Sequence, residues 1–384
     1  MIEVTAILHR GTVFLAGETL QCDITFKNNG PIQNGPDSLS WASAQIHCQC
    51  SVSESRVYLP RTDQLTAEDV SSSVGGDTSF VPSKGERGMT VLTTKPKILF
   101  CDMRLDPGQS KTFTYREMIP TDAPPTFRGQ AVKYSYKLTL GTQRVNHPTK
   151  LIRIPFRVLV LHGMNDISVY LDSEEVQPSN PFLKPRQENS VLDIALGILG
   201  TVTARNGPHS YNITNSRGKV AKCIMYKQAY KLGEDIIGVM DFSDTSVNCV
   251  QYSVTLQSEE NISEECRKKS SQGSSLTSYV RHQEMCLHTA KSNFMIPVPL
   301  TATPSFMTDI VCQRWRLHFE FVTSVEPIKG EIRKNDSDDS TTWRGPATLK
   351  VETMVWDLPI KMFASNPVYA SSVSLLKIRH SLTI

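Results

Sequence analysis

Residues 14 to 26 read FLAGETLQCDITF, and residues 230 to 242 read YKLGEDIIGVMDF. Laid over one another, Gly17 falls on Gly233, Glu18 on Glu234, Leu20 on Ile236 and Phe26 on Phe242, each pair 216 residues apart. After the Gly-Glu pair the apolar residues alternate (Leu20, Cys22, Ile24, Phe26), the period of a strand with one buried face. Glycine permits a tight turn into the strand, and the glutamate is expected at its exposed start.

Three more pairs follow in the same order. MIPTDAPPTF (118 to 127) matches PVPLTATPSF (297 to 306), with Pro120 on Pro299, Pro125 on Pro304 and Phe127 on Phe306. In the next strand Tyr136, Leu138 and Leu140 fall on Trp315, Leu317 and Phe319, and RIPFRVLV (153 to 160) resembles DLPIKMF (357 to 363) through Pro155 and Pro359. Four matches in one order define a duplication. The PPTF and TPSF runs suit an extended approach to a strand, with each Phe plugging a core.

The fold class this predicts is all-β: a tandem of two antiparallel β-sandwich lobes, residues 1–161 and 209–363, with a short interlobe helix. The polar stretch of about residues 60–94, rich in Ser, Asp and Gly, reads as a mobile insertion in the first lobe. Residues 162–208 form an interlobe linker, in which NSVLDIALGILGTV predicts a helix over about 190–203, capped by Asn189 or Ser190 and packed between or against the lobes. Residues 266–278, 331–340 and a flexible tail, 364–384, are expected as exposed segments.

Composition narrows the function. Forty-one Lys plus Arg against 38 Asp plus Glu are scattered along the chain, which argues against nucleic acid as a partner. No apolar run approaches the roughly 20 residues that cross a bilayer, and the first residues lack the pattern of a signal peptide, so a cytosolic protein is expected. Most of the nine cysteines sit in apolar alternations and read as buried thiols, and the sequons at Asn212, Asn261 and Asn335, which matter only in a secreted chain, are expected to stay unmodified.

No constellation points to catalysis. Cys48-Gln49-Cys50 and Cys286-Leu287-His288 lack the further ligands of a zinc site, and Gly75-Gly76 and Gly85-Glu86-Arg87-Gly88 match neither a P-loop nor a dinucleotide fingerprint. His318 alternates with Arg314, Arg316 and Glu320 on the polar side of its strand and has Lys137 or Thr139 as its first-lobe equivalent, so it reads as part of a solvent face. The expectation is a chain with no catalytic residue, metal, cofactor or small-molecule substrate. Partner anchors are sought instead where guanidinium or aromatic groups fall in polar segments: Trp343-Arg344 in the turn DSTTWRGP, and Arg281-His282 with Glu284 in a loop before the block at 315.

A strand entered through Gly-Glu, then IP…PPTF…YSYKL and a closing IPFRV, resembles the order of the arrestin N-terminal domain, and its second copy the C-terminal one. The blocks WASAQIHCQ (41 to 49), TTKPKILFCDMRLDPGQSK (93 to 111), FRGQAVKYSYKLTLGTQRVN (127 to 146), YNITNSRGKVAKC (211 to 223), RHQEMCLHT (281 to 289) and WRLHFEFVTS (315 to 324) resemble the reduced-growth-phenotype (Rgp) family. That resemblance implies a non-enzymatic subunit of a heterodimeric guanine nucleotide exchange factor. Its implied partners are a large Ric subunit, the Golgi GTPase Rab-six and, through the complex, the Golgi membrane. Retrograde traffic from endosomes and within the Golgi is the implied setting. The alternative is an arrestin-type adaptor sorting membrane cargo; the Pro-Pro-x-Tyr of ligase adaptors is not matched by Pro124-Pro125-Thr126-Phe127.

Overall fold

A computed structural model describes residues 1–59, 88–161, 191–205, 207–269, 273–328, 331–334, 341–374 and 376–384. Strand β3 (Thr19–Asn28) turns Leu20, Cys22, Ile24 and Phe26 inward. It lies between β1 (Ile2–Leu8) and β7 (Ser110–Met118), and β23 (Arg379–Thr383) completes the sheet in the order β23-β1-β3-β7. Facing it is a second sheet, ordered β2 (Val13–Leu15), β10 (Lys150–Leu159), β9 (Val132–Gln143), β4 (Asp37–Val52) and β5 (Met89–Thr93). Strand β6 (Lys97–Leu105) also pairs with β4, and the short β8 (Phe127–Arg128) with β9. Val4, Ile24, Phe26, Ile46, Tyr136, Leu138 and Ile154 fill the space between the two sheets. Alternation produces this because one side of each strand must leave water while its ladder hydrogen bonds stay paired.

The second half repeats the plan. Strands β11 (His209–Asn215), β12 (Gly218–Met225), β14 (Asp235–Asp241) and β17 (Lys291–Pro297) form one sheet. The other runs β13 (Ala229–Lys231), β22 (Val351–Phe363), β19 (Val311–Ser324), β15 (Cys249–Ile262) and β16 (Ser274–Met285), with β18 (Phe306–Met307) on β19. Ile236, Met240, Tyr252, Val254, Leu317, Phe319 and Ile360 lie in its core.

The duplication extends to single hydrogen bonds. Gly17 and Gly233 both take positive φ (89° and 83°), which glycine adopts without strain. Their amides donate to equivalent carbonyls, Ile119 at 2.8 Å and Val298 at 3.1 Å. The Thr-Phe and Ser-Phe pairs act alike: Thr126 N donates to Val158 O and Ser305 N to Met362 O, both at 2.8 Å. In return Val158 N donates to Thr126 Oγ1 at 2.9 Å and Met362 N to Ser305 Oγ at 3.2 Å. A hydroxyl before each Phe thus clips the strand that closes its lobe.

The sheets are antiparallel apart from two short edge pairings, β2 parallel to β10 and β13 parallel to β22. Several expectations are corrected. Glu18 does not stand exposed: only 5% of it reaches solvent, and its carboxylate accepts from Leu15 N at 2.6 Å and from the Arg10 guanidinium. Such a group stays buried because an opposite charge and a backbone donor replace its water. The segment expected as a flexible tail instead forms α2 (Pro367–Ser372) and β23, which pairs with β1 over five residues, Glu3↔Thr383 to Ile7↔Arg379. Residues 89–93 are a strand rather than insertion, and Ser274–Ser278 belong to β16 rather than to a loop. The rest of the insertion (60–87), the linker residues 162–190 with Asn189 and Ser190, Gly75-Gly76 and Asn335 lie outside the described residues.

Helix α1 (Val191–Val202) buries Ala195 and Leu199 in the second core, alongside Val13, Leu15, Leu159 and Leu161 of the first lobe. All nine cysteines are free thiols. Burial pushes Cys22, Cys48, Cys50 and Cys223 up to about 12, far from thiolate reactivity.

Candidate partner-binding surfaces

The anchors sought at residues 281–284 lie on β16, the edge strand of the second lobe, and not in a loop. Alternation therefore splits them between faces. Arg281 turns to the outer face, where its Nη2 donates to Ser253 Oγ at 3.0 Å and pairs with Glu320 at 2.7 Å. His282, opposite Val254 in the register, turns inward; its ring lies 6.0 Å from that of Tyr252 and 6.4 Å from that of Phe294. Glu284 accepts from Ser292 Oγ and from Tyr252 OH at 3.1 Å, and His282 Nε2 lies 3.5 Å from it. The Ser292 hydroxyl first, then the Tyr252 hydroxyl and the His282 imidazole, hold the Glu284 carboxyl below its ordinary range. Arg281 is consequently available as part of a surface, whereas His282 and Glu284 brace the rim of the sandwich.

Trp343 and Arg344 also occupy a strand rather than a turn. β20 (Glu331–Lys334) and β21 (Thr341–Arg344) form a two-stranded hairpin, with Trp343 opposite Ile332 and Arg344 opposite Glu331. The structure does not bring this hairpin into one sheet with β16.

On the outer face of β19, His318 Nδ1 lies 2.6 Å from Asp357 and its Nε2 3.6 Å from Glu320, while Arg316 reaches Asp357 at 3.0 Å. With Arg281 this makes a polar ladder over β16, β15, β19 and β22, in which each charge has an opposite neighbour. Among the described residues, no group of three or more His, Cys, Asp or Glu could hold a metal ion. No described helix is long and apolar enough to cross a membrane.

Sequence reading missed the seam between the lobes. Glu260 of β15 is 4% exposed and its carboxylate accepts three amides of the first lobe: Gln130 at 2.6 Å, Ala131 at 3.0 Å and Val132 at 3.0 Å. Arg157 of β10 reaches the other way, donating to Leu300 O at 2.9 Å and Ala302 O at 2.5 Å. The duplicated Phe127 and Phe306 meet edge to face across the seam, ring centroids 4.9 Å apart. Tyr134 OH and Thr308 Oγ1 add a bond at 3.1 Å. The one legible hint was a lone Glu in the otherwise alternating end of β15, where Ser258, Glu260 and Ile262 share an inward-facing row.

The molecule is thus a duplicated, two-lobed all-β protein whose halves are bound to each other by buried polar and aromatic contacts. A family model described as Rgp1 matches residues 64–165 and 165–324, reaching into both lobes. The Homo sapiens protein called RAB6A-GEF complex partner protein 2 is 47% identical over 382 residues, 97% of either chain. The Bos taurus protein of the same name is 47% identical over 377 residues, 95% of either chain. The chain belongs to the Rgp1 family.

Proposed function

We propose that this chain is a non-enzymatic subunit of a guanine nucleotide exchange factor for the Rab-six GTPase, paired with a large Ric subunit. The observation that carries the reading is identity of 47% over 97% of the chain with a relative named as a partner in a RAB6A-GEF complex. The protein acts in the cytosol and is recruited to Golgi membranes through the complex, serving traffic from endosomes and within the Golgi.

An exchange factor makes and breaks no covalent bond. It binds the empty GTPase better than the loaded one, so GDP leaves and GTP enters by mass action. Each ~1.4 kcal/mol of preference for the empty form shifts the ratio tenfold, and opening a nucleotide site by many such steps takes a broad surface. Two lobes locked at a seam offer breadth and rigidity together. We expect this chain alone to accelerate release little and to contribute part of a composite surface once joined to its partner.

The test is release of a fluorescent GDP analogue from purified Rab-six with this chain alone, the large subunit alone, and both. Strong release only with both supports the reading. Strong release by this chain alone overturns the division of labour, and full release by the large subunit alone reduces this chain to a stabiliser.

A further inference from the structure

A cleft of about 240 Å³ opens at the seam beneath α2, lined from three sides: Arg128 and Arg157 from the first lobe, Leu300 from the second, Val373 and Leu376 from the segment after β22. Drug-sized sites run to roughly 300–1,000 Å³, so this one suits a side chain rather than a nucleotide or cofactor. Its lining residues include two arginines and no Asp or Glu, and among the described residues neither arginine has an ion-pair partner.

Two other arginines of the first lobe are neutralised in place, Arg10 by Glu18 and Arg144 by Asp37 at 2.6 Å. Arg157 instead spends two N–H groups on the carbonyls of Leu300 and Ala302. Carbonyls satisfy donors without cancelling charge, and burial accordingly draws its pKa down to about 10. Arg128 stands exposed at the mouth. The duplication supplies a control, because the second-lobe counterparts of these two positions are Met307 and Lys361. The paired guanidiniums belong to one lobe alone, so the repeat architecture does not require them.

We propose that this cleft receives a carboxylate side chain, flanked by an apolar residue, from an extended segment of a partner protein. Arg128 supplies the planar, forked donor that a carboxylate accepts from, the buried charge of Arg157 behind it adds a second attraction, and Leu300, Val373 and Leu376 cover the apolar neighbour.

The experiment follows the methyl resonances of Leu300, Val373 and Leu376 in the full chain during titration with acetyl-Leu-Glu-Leu-amide, its Gln counterpart, or inorganic phosphate. The Glu peptide shifts these methyls, and the Gln peptide does so at least about tenfold more weakly, as loss of a charge-assisted bond implies. Arg128→Ala weakens the Glu peptide by a similar factor, whereas Lys133→Ala, which removes an exposed cation on the neighbouring strand, leaves it unchanged. Four results overturn the proposal: no shift at roughly 5 mM peptide, where even a millimolar site would fill; equal binding of the Gln peptide; equal loss in both variants; or binding of phosphate without the Glu peptide.

Discussion

Replacing Glu260 with Ala removes the acceptor for three amides of the other lobe at once. Two of these, Ala131 and Val132 N–H, are buried, so little water can take the place of the carboxylate. At ~1–3 kcal/mol for each buried donor left unpaired, the gross loss is about 2–6 kcal/mol. Part is offset because a carboxylate no longer has to leave water, which brings the expected net loss to about 2–4 kcal/mol. Gly129 shows how closely the two parts approach: a Cβ built there would lie 2.3 Å from Glu260 Oε1. Glu260→Gln keeps one acceptor oxygen and should lose roughly half as much. Guanidinium unfolding measures the total, and amide exchange at residues 130–132 locates it, with exchange faster by at least about tenfold per 1.4 kcal/mol of lost protection. Unchanged exchange at those amides, or equal losses in the Ala and Gln variants, would refute the acceptor-counting argument.

Deleting residues 379–384 should expose the edge of β1 and cost roughly 2–4 kcal/mol, from the partly buried Leu382 and Ile384 and the lost ladder bonds. Retained exchange protection of residues 2–8 would count against this. Glu284 titrates below its ordinary 4.5 in the folded chain, so its contribution is full above that value and disappears as pH falls through the lower folded value. Glu284→Gln should therefore flatten the fall of stability as pH drops below 4.5, and an unaltered pH profile would show that its hydroxyl partners contribute nothing. Trp343→Ala combined with Arg344→Ala should weaken capture of the large subunit by about tenfold or more without changing the circular dichroism, as loss of an interface anchor does. Full capture would remove the β20–β21 hairpin from the interface.

How much of this was legible from sequence follows from how far apart the interacting residues lie. Strand faces depend on neighbours two positions away, so alternation alone placed Leu20 to Phe26 and Trp315 to Phe321 in cores. Pairing of the Gly-Glu turns and of the PPTF and TPSF runs was legible because the chain states each of them twice, whereas the hydroxyl clips emerged only in the structure. The sequence by itself thus determined an all-β chain with a repeated strand plan.

Only the tertiary structure decided the rest. RHSLT at 379–383 is too short a pattern to announce a strand; it becomes one because β1 has an open edge, at the place that β11 fills in the second lobe. Glu18 looked exposed because a carboxylate within an alternation normally is, and its burial depends on Arg10 folding back eight residues. Arg281 and His282 are adjacent in sequence, yet the pleat sends them to opposite faces, with Glu284 on the side of His282. Glu260 meets Gln130 across 130 positions and Arg157 meets Leu300 across 143. No local periodicity encodes such contacts, since they arise from the way two independently patterned sandwiches dock, and a lone charge acquires its meaning only from the amides or carbonyls that the other lobe brings to it.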